Sequence, residues 1–169
     1  MRNPGILYPK MTVIGCGLIG GSVIRAARAH GVVGEITVAD ASAANRARVV
    51  ELGIADHVTD DIALAVKDAD LVVIATPVLS IADVAALVAP AIKAGATLTD
   101  VGSTKGNVGE AFRAQPLDHV FVIPGHPIAG TEQSGPDAGF AELFENRWTI
   151  LTPAESDDEA YAAAVAKLS

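Results

Sequence analysis

Aromatic residues are scarce in this sequence, at 4% of 169 residues, and cysteine occurs once. With so few large rings, the core has to be assembled from Ala, Val, Ile and Leu, a composition that suits helices packed on a buried sheet. The lone Cys16 has no partner for an internal disulfide and sits between two glycines with no base beside it. An inert thiol in a reducing, cytoplasmic setting is expected. Positive charge is also in deficit: 12 Lys and Arg stand against 20 Asp and Glu, for a net charge of -8. That balance argues against nucleic acid or an anionic membrane as a partner, because most of the surface would repel either. Residues 11–24, preceded by Lys10, imitate the apolar region of a signal peptide, but four glycines interrupt them and they are too short to span a bilayer. There is no internal repeat, low-complexity segment or long run of one charge, and no metal site is expected.

What is present is hydrophobicity, at 50% of residues, in short segments of alternating type. A chain of this length fits one domain and can bury roughly 65–70% of its unfolded surface. Residues 1–169 are therefore read as one domain, with 1–10 as a leader segment. An apolar run at 11–15 ends in glycine and is followed by helical spacing over 18–30. A second strand is predicted at 35–39, then a helix from the N-cap Ser42 to 52 with Gly53 as its stop. The alternation continues with a short helix at 62–67, a strand at 71–76, a helix at 81–93 and a strand at 97–101. A helix at 107–115, strands at 119–123 and 148–151 and a helix at 157–168 complete the reading. Strands without alternating polarity imply a sheet covered on both faces, and their alternation with helices predicts an α/β, doubly wound, mostly parallel Rossmann sheet. Residues 124–147 form the longest stretch without strand character, with a short helix near 138–144; loops of that length in a compact domain are commonly functional.

The junction of the first strand and helix carries Gly15, Gly17 and Gly20 in a G-x-G-x-x-G pattern. The first glycine permits the tight turn, the second lets backbone approach a pyrophosphate, and the third lets helix and strand pack closely. The helix start, at Leu18 and Ile19, presents N–H groups to phosphate charge. Asp40 ends the second strand twenty residues after Gly20, where a carboxylate accepts hydrogen bonds from ribose hydroxyls. The same carboxylate would repel the 2′-phosphate of NADP, so NAD is the expected cofactor. Arg46 and Arg48 fall inside the next helix and are given little weight as phosphate ligands. Thr76 and Pro77 after one strand, and Gly102 and Ser103 after another, should ring the same crevice at the carboxyl edge of the sheet.

The segments GCGLIGGS at 15–22, DVGSTK at 100–105, GHPIAGTEQSG at 125–135 and LFENRWTILTP at 143–153 resemble the NAD(P)-binding domain of prephenate, arogenate and cyclohexadienyl dehydrogenases. The resemblance covers residues 11–169. It implies oxidation of a ring hydroxyl by hydride transfer to NAD with loss of CO2, in tyrosine biosynthesis. It assigns His126 as the group that draws away the hydroxyl proton, a task suited to an imidazole, which is mostly unprotonated yet basic at physiological pH. Ser103 matches the family serine that bonds imidazole and substrate hydroxyl, and it is also expected to cap the helix that follows it. Thr131 matches a position for hydrogen bonding the substrate, and Glu132 one for pairing with a basic group of a second domain. Lys105 either adds positive field near the substrate or faces solvent. His30, His57 and His119 read as structural, His57 in a connecting segment.

Family members carry a C-terminal helical domain that closes the site, supplies basic residues for the substrate carboxylates and forms the homodimer. That domain is expected to be missing here, and Lys93, Arg113 and Arg147 are scattered relative to the crevice. NAD binding with poor turnover by the isolated chain is the resulting expectation. The rival readings are a nucleotide-sensing module without catalysis and a hydroxyacid dehydrogenase or reductase of another Rossmann family.

Overall fold

The computed structural model describes residues 5–169, so the first four residues of the expected leader lie outside the described residues. Six parallel strands make one sheet: β1 (Tyr8–Ile14), β2 (Val33–Ala39), β3 (His57–Thr59), β4 (Leu71–Ile74), β5 (Thr97–Asp100) and β6 (Phe121–Val122). Their spatial order is β3-β2-β1-β4-β5-β6. The chain winds outward from β1 in one direction, returns, and winds outward from β4 in the other. A crevice is left between β1 and β4 at the carboxyl edge, where ligands bind in sheets of this kind.

Successive residues of β1 serve opposite faces of the sheet. Met11 and Val13 join Ile36, Val38 and Val73 in one apolar cluster, with Ile24 and Ala27 from α1 (Leu18–His30) and Val49 from α2 (Ala43–Leu52). Ile14 belongs to the other cluster, with Val72, Ile74 and Leu98. There Val66 of α3 (Ile62–Val66), Val84 and Val88 of α4 (Ile81–Val88) and Val108 and Phe112 of α5 (Lys105–Arg113) cover it. Both faces are thus shut off from water by aliphatic side chains, as the composition requires.

Local chemistry sets the helix ends. Ser42 Oγ accepts from Asn45 N at 3.2 Å, and Gly53 closes α2 in the left-handed conformation. Asp158 caps α6 (Glu159–Leu168) by accepting from Ala160 N at 2.8 Å. The helix expected to reach residue 93 stops at Val88, because Pro90 has no N–H to donate and its ring obstructs the turn before it.

Further expectations need correction. Residues 8–10, expected to belong to a leader, are the start of β1 and pair with β2. His57 is not in a connecting segment but opens β3, a three-residue edge strand too short to show periodicity. The expected strand near 148–151 does not join the main sheet. It forms β8 (Thr149–Leu151), antiparallel to β7 (Gly125–Pro127), in a separate two-stranded ribbon. The single helix near 138–144 resolves into two 3-10 turns, Pro136–Ala138 and Ala141–Phe144, with Gly139 between them. None of the described helices is long and apolar enough to cross a membrane.

Leu98 is fully enclosed at the centre of the second cluster. Truncation by Leu98→Ala should cost about 2–5 kcal/mol through lost transfer energy and a residual cavity. Urea denaturation should register this as a lower midpoint at unchanged slope.

Candidate functional site

The turn from β1 into α1 is set by glycines. Gly15 has φ of 89°, a left-handed value, and a Cβ there would lie 2.8 Å from the Ala75 carbonyl oxygen. A Cβ on Gly20 would lie 2.1 Å from the Gly15 carbonyl oxygen, which no relaxation of a side chain could relieve. Gly17 differs from both: a Cβ there meets nothing within 4 Å. Gly17 is also the N-cap of α1, offers no side-chain acceptor, and is followed by a first turn without acidic residues. The first turn of the helix therefore leaves its own N–H groups without a side-chain acceptor, and a free concavity lies in front of the peptide at Gly17.

Asp40 is stapled to this turn. Its Oδ2 accepts from Cys16 N at 2.9 Å and its Oδ1 from Ser42 N at 2.8 Å, while Asn45 Nδ2 lies 3.3 and 3.4 Å from the two oxygens. Arg46 is closer to this carboxyl end than its place in α2 suggests. Its Nη1 donates to the carbonyls of Asp40 and Ala41 at 2.8 and 3.0 Å, and its Nη2 lies 3.4 Å from Asp60. Burial, reinforced by the Asp40 charge and opposed by Arg25, pushes the Cys16 thiol up to about 11, so it is not a nucleophile.

The other wall comes from the ends of β5 and from β7. His126 pairs in register with Ile150, and no hydrogen-bond partner satisfies its ring among the described residues. Ser103 is exposed at the turn after β5, and it does not cap α5. Thr104 holds the N-cap position, without a side-chain bond, which corrects the expected capping role. Lys105 neither faces solvent nor projects into the crevice. It turns beneath β7, where its ammonium group is bonded to Asp100 and donates to the Gly125 carbonyl at 2.6 Å. Asp100 also accepts from Gly102 N at 2.8 Å and Gly125 N at 3.1 Å. Neither the network nor Asp100 emerged from the sequence. The available signal was a carboxylate ending an otherwise uncharged strand, which has to find partners when buried.

The segment after β7 is tied back over α1. Gly139 approaches so closely that a Cβ would stand 2.7 Å from Gly21 C and 2.8 Å from Ser22 N. Ser22 Oγ accepts from Phe140 N at 3.1 Å, and Arg48 grips Asp137 through Nε and Nη2 at 2.7–3.0 Å. That grip holds the Asp137 carboxyl below its ordinary range.

These elements enclose a cleft of about 720 Å³. Gly15, Gly17, Leu18, Ile19, Asp40, Thr76, Pro77, Ser103 and His126 all border it, whereas Gly20 packs beneath the turn. Thr131 and Glu132 do not border it. Both are exposed, Thr131 Oγ1 accepting from Gln133 N at 3.2 Å, while Gln133 and Ser134 reach the cleft instead. Thr76 Oγ1 is shut off from water and has no hydrogen-bond partner among the described residues. No lysine or arginine is among the described residues that border the cleft. Lys93 is bonded to Asp70, Arg113 lies on α5, and Arg147 is exposed on the loop before β8. An open glycine cradle, a helix start without a side-chain cap and an orphaned hydroxyl in one cleft fit an elongated ligand carrying phosphate.

A family model described as prephenate dehydrogenase, nucleotide-binding domain, matches residues 23–169. The chain belongs to that family. A cyclohexadienyl dehydrogenase from Zymomonas mobilis is 43% identical over 147 residues, covering 87% of this chain and 50% of the relative. A prephenate dehydrogenase from Bacillus subtilis is 37% identical over 147 residues, covering 86% of this chain and 39% of the relative. The crystal structure of prephenate dehydrogenase from A. aeolicus in complex with hydroxyphenyl propionate and NAD+ superposes with a TM-score of 0.78 at 28% identity. It covers 95% of this chain and 56% of that one. The chain thus spans about half the length of these relatives. What the family match describes is a nucleotide-binding domain, and the cleft at the switch point is where such a fold binds its ligand.

Two glycine substitutions should separate fold from binding. Gly17→Val fills open space, so thermal melting should stay near that of the unmodified chain while calorimetry shows loss of dinucleotide binding. Gly20→Ala forces backbone apart and should destabilise the chain by about 1–3 kcal/mol or more. Retained dinucleotide affinity in Gly17→Val would remove the turn from the binding site.

Proposed function

We propose that this chain is the cofactor-binding half of an NAD-dependent dehydrogenase that oxidises prephenate or arogenate with loss of CO2. The observation that carries the reading is that the glycine turn, Asp40, Ser103 and His126 border one cleft. In this reading Gly15, Gly17 and Gly20 form the turn that, with the helix start at Leu18 and Ile19, holds the diphosphate. Asp40 receives the ribose hydroxyls, and Thr76, Pro77 and Ser103 flank the nicotinamide end. NAD, when bound, supplies the acceptor for the hydride.

The chain's own part in the chemistry is proton handling. His126 takes the proton of the ring hydroxyl as hydride leaves the carbinol carbon, which prevents positive charge from accumulating there. The bonding pair released as the carboxylate departs as CO2 enters the ring and makes it aromatic, and the former hydroxyl oxygen becomes the phenol oxygen by taking its proton back from the His126 imidazolium. Ser103 bonds imidazole and hydroxyl together. Thr131 and Glu132 stand farther out, suited to the substrate's entry and to a basic group outside this chain.

With no lysine or arginine among the described residues that border the cleft, the carboxylates of the substrate call for basic groups from the part of the relatives' length that this chain does not span. Ile128, Ile150 and the 82% exposed Trp148, all on or beside the ribbon that carries His126, offer apolar surface for that part to cover. NAD is favoured over NADP because Asp40 presents a carboxylate to the ribose, and Arg46 is engaged by Asp60 and two carbonyls. A buried thiol that stays protonated suits the reducing cytoplasm.

Calorimetry should give NAD at least about tenfold tighter binding than NADP, a margin of about 1.4 kcal/mol, and Asp40→Ser should narrow it. Equal affinities in the unmodified chain would overturn the cofactor preference. When the chain is joined to the remaining half of a family member, His126→Asn should lower kcat by roughly 10²–10⁴ at unchanged NAD affinity. Full turnover in that variant would exclude the imidazole from the reaction.

A further inference from the structure

Asp100 is 2% exposed and charged, and it ends a strand whose other residues are uncharged. It accepts from three directions: Gly102 N, Gly125 N and the Lys105 ammonium. Lys105 in turn donates to the Gly125 carbonyl. Both polar groups of Gly125 are therefore gripped by one ion pair. The carbonyl shares its peptide plane with the nitrogen of His126, so fixing that oxygen fixes the plane from which the imidazole departs. The same carboxylate, through Gly102 N, fixes the turn that leads into Ser103.

A buried ion pair is a poor source of stability, since an apolar pair of like volume fills the space without the desolvation penalty. What an apolar pair cannot do is hold an N–H and a carbonyl at once. Gly125 itself shows how tight the approach is, because a Cβ there would lie 3.0 Å from the Asp100 carbonyl oxygen and 3.2 Å from Thr99 Oγ1. An extra carbon would fit only if β5 or β7 gave way by a few tenths of an ångström.

We propose that Asp100 and Lys105 are positioning residues, a buried ion pair that sets the two walls of the cleft, and thereby His126 and Ser103, in fixed relation. The inference rests on the reading of His126 as the group beside the nicotinamide. It is separable from that reading because the pair touches neither the glycine turn nor Asp40, Thr76 or Pro77, and so leaves most of the dinucleotide's assigned contacts in place.

The test uses this chain, saturated with NAD, and nuclear magnetic resonance of two signals. One is the contact between the His126 ring protons and the nicotinamide ring, and the other is hydrogen exchange at the Gly125 amide. Lys105→Met alone leaves a buried carboxylate unpaired and should lower the melting temperature. The decisive variant is Asp100→Asn with Lys105→Met, which removes both charges together. It should melt near the unmodified chain and bind NAD within about twofold, yet lose the His126 contact and exchange Gly125 at least about tenfold faster, as loss of charge-assisted bonds implies. Lys105→Arg, which keeps a donor cation, should restore part of the contact.

If the unmodified chain binds NAD without any contact from His126, the functional reading fails, and the proposal falls with it. If that contact exists and survives in the double variant with slow Gly125 exchange, the positioning role alone is overturned. A double variant that cannot fold also overturns it, since the pair would then serve the fold rather than the site.

Discussion

Two absent side-chain carbons make the carboxyl edge of the sheet usable. At Gly15 and Gly20, backbone of β1, α1 and the segment after β4 comes so close that any Cβ would collide with a carbonyl oxygen or its neighbours. Because the chain can turn there, the positive end of α1 points into the cleft between β1 and β4 instead of away from the sheet. Asp40 then meets the turn from β2, and Thr76 and Pro77 meet it from β4. Had either glycine carried a side chain, these strand ends would still form a sheet, but they would not converge on one concavity.

The second half of the chain is built against that turn and not merely beside it. Gly139 lies on Gly21, Phe140 N reaches Ser22 Oγ, and Asp137 meets Arg48 on α2. The loop after β7 is thus referenced to α1 and α2, which carry the dinucleotide end, whereas β7 itself is referenced to β5 through Asp100 and Lys105. Two sets of contacts from opposite sides locate one short segment. An exposed pair such as Arg48 with Asp137 is worth little to overall stability, but a planar fork on a carboxylate restricts orientation well.

Much of this was legible in the sequence. The glycine pattern, the carboxylate at Asp40, the caps at Ser42 and Gly53 and the parallel, doubly wound sheet all rest on local signals of period, turn chemistry or spacing. What was not legible depended on contacts distant in sequence. β3 is only three residues long, and its pairing with β2 rather than any pattern of its own makes it a strand. The residues of β8 read as one more strand of the alternation, and only the long-range partner β7 reveals that they lie outside the main sheet. Lys105 opens a helix and read either as positive field near the substrate or as solvent-facing, because nothing in its neighbourhood signals a carbonyl twenty residues away. Thr131 and Glu132 share a motif with His126, yet the loop carries them outward and brings Gln133 and Ser134 to the cleft. Adjacency within a motif does not imply adjacency in the site.

Cys16 occupies one of the most exacting positions in the molecule, inside the dinucleotide turn, where its backbone N–H holds Asp40. Its sulfur lies within the apolar cluster behind the turn, fully enclosed, with its ionisation raised to about 11. Peroxide and electrophiles react with the thiolate, a form almost unpopulated at that ionisation constant in neutral solution. The turn thus holds sulfur at its centre in the protonated, enclosed form that is its least reactive one.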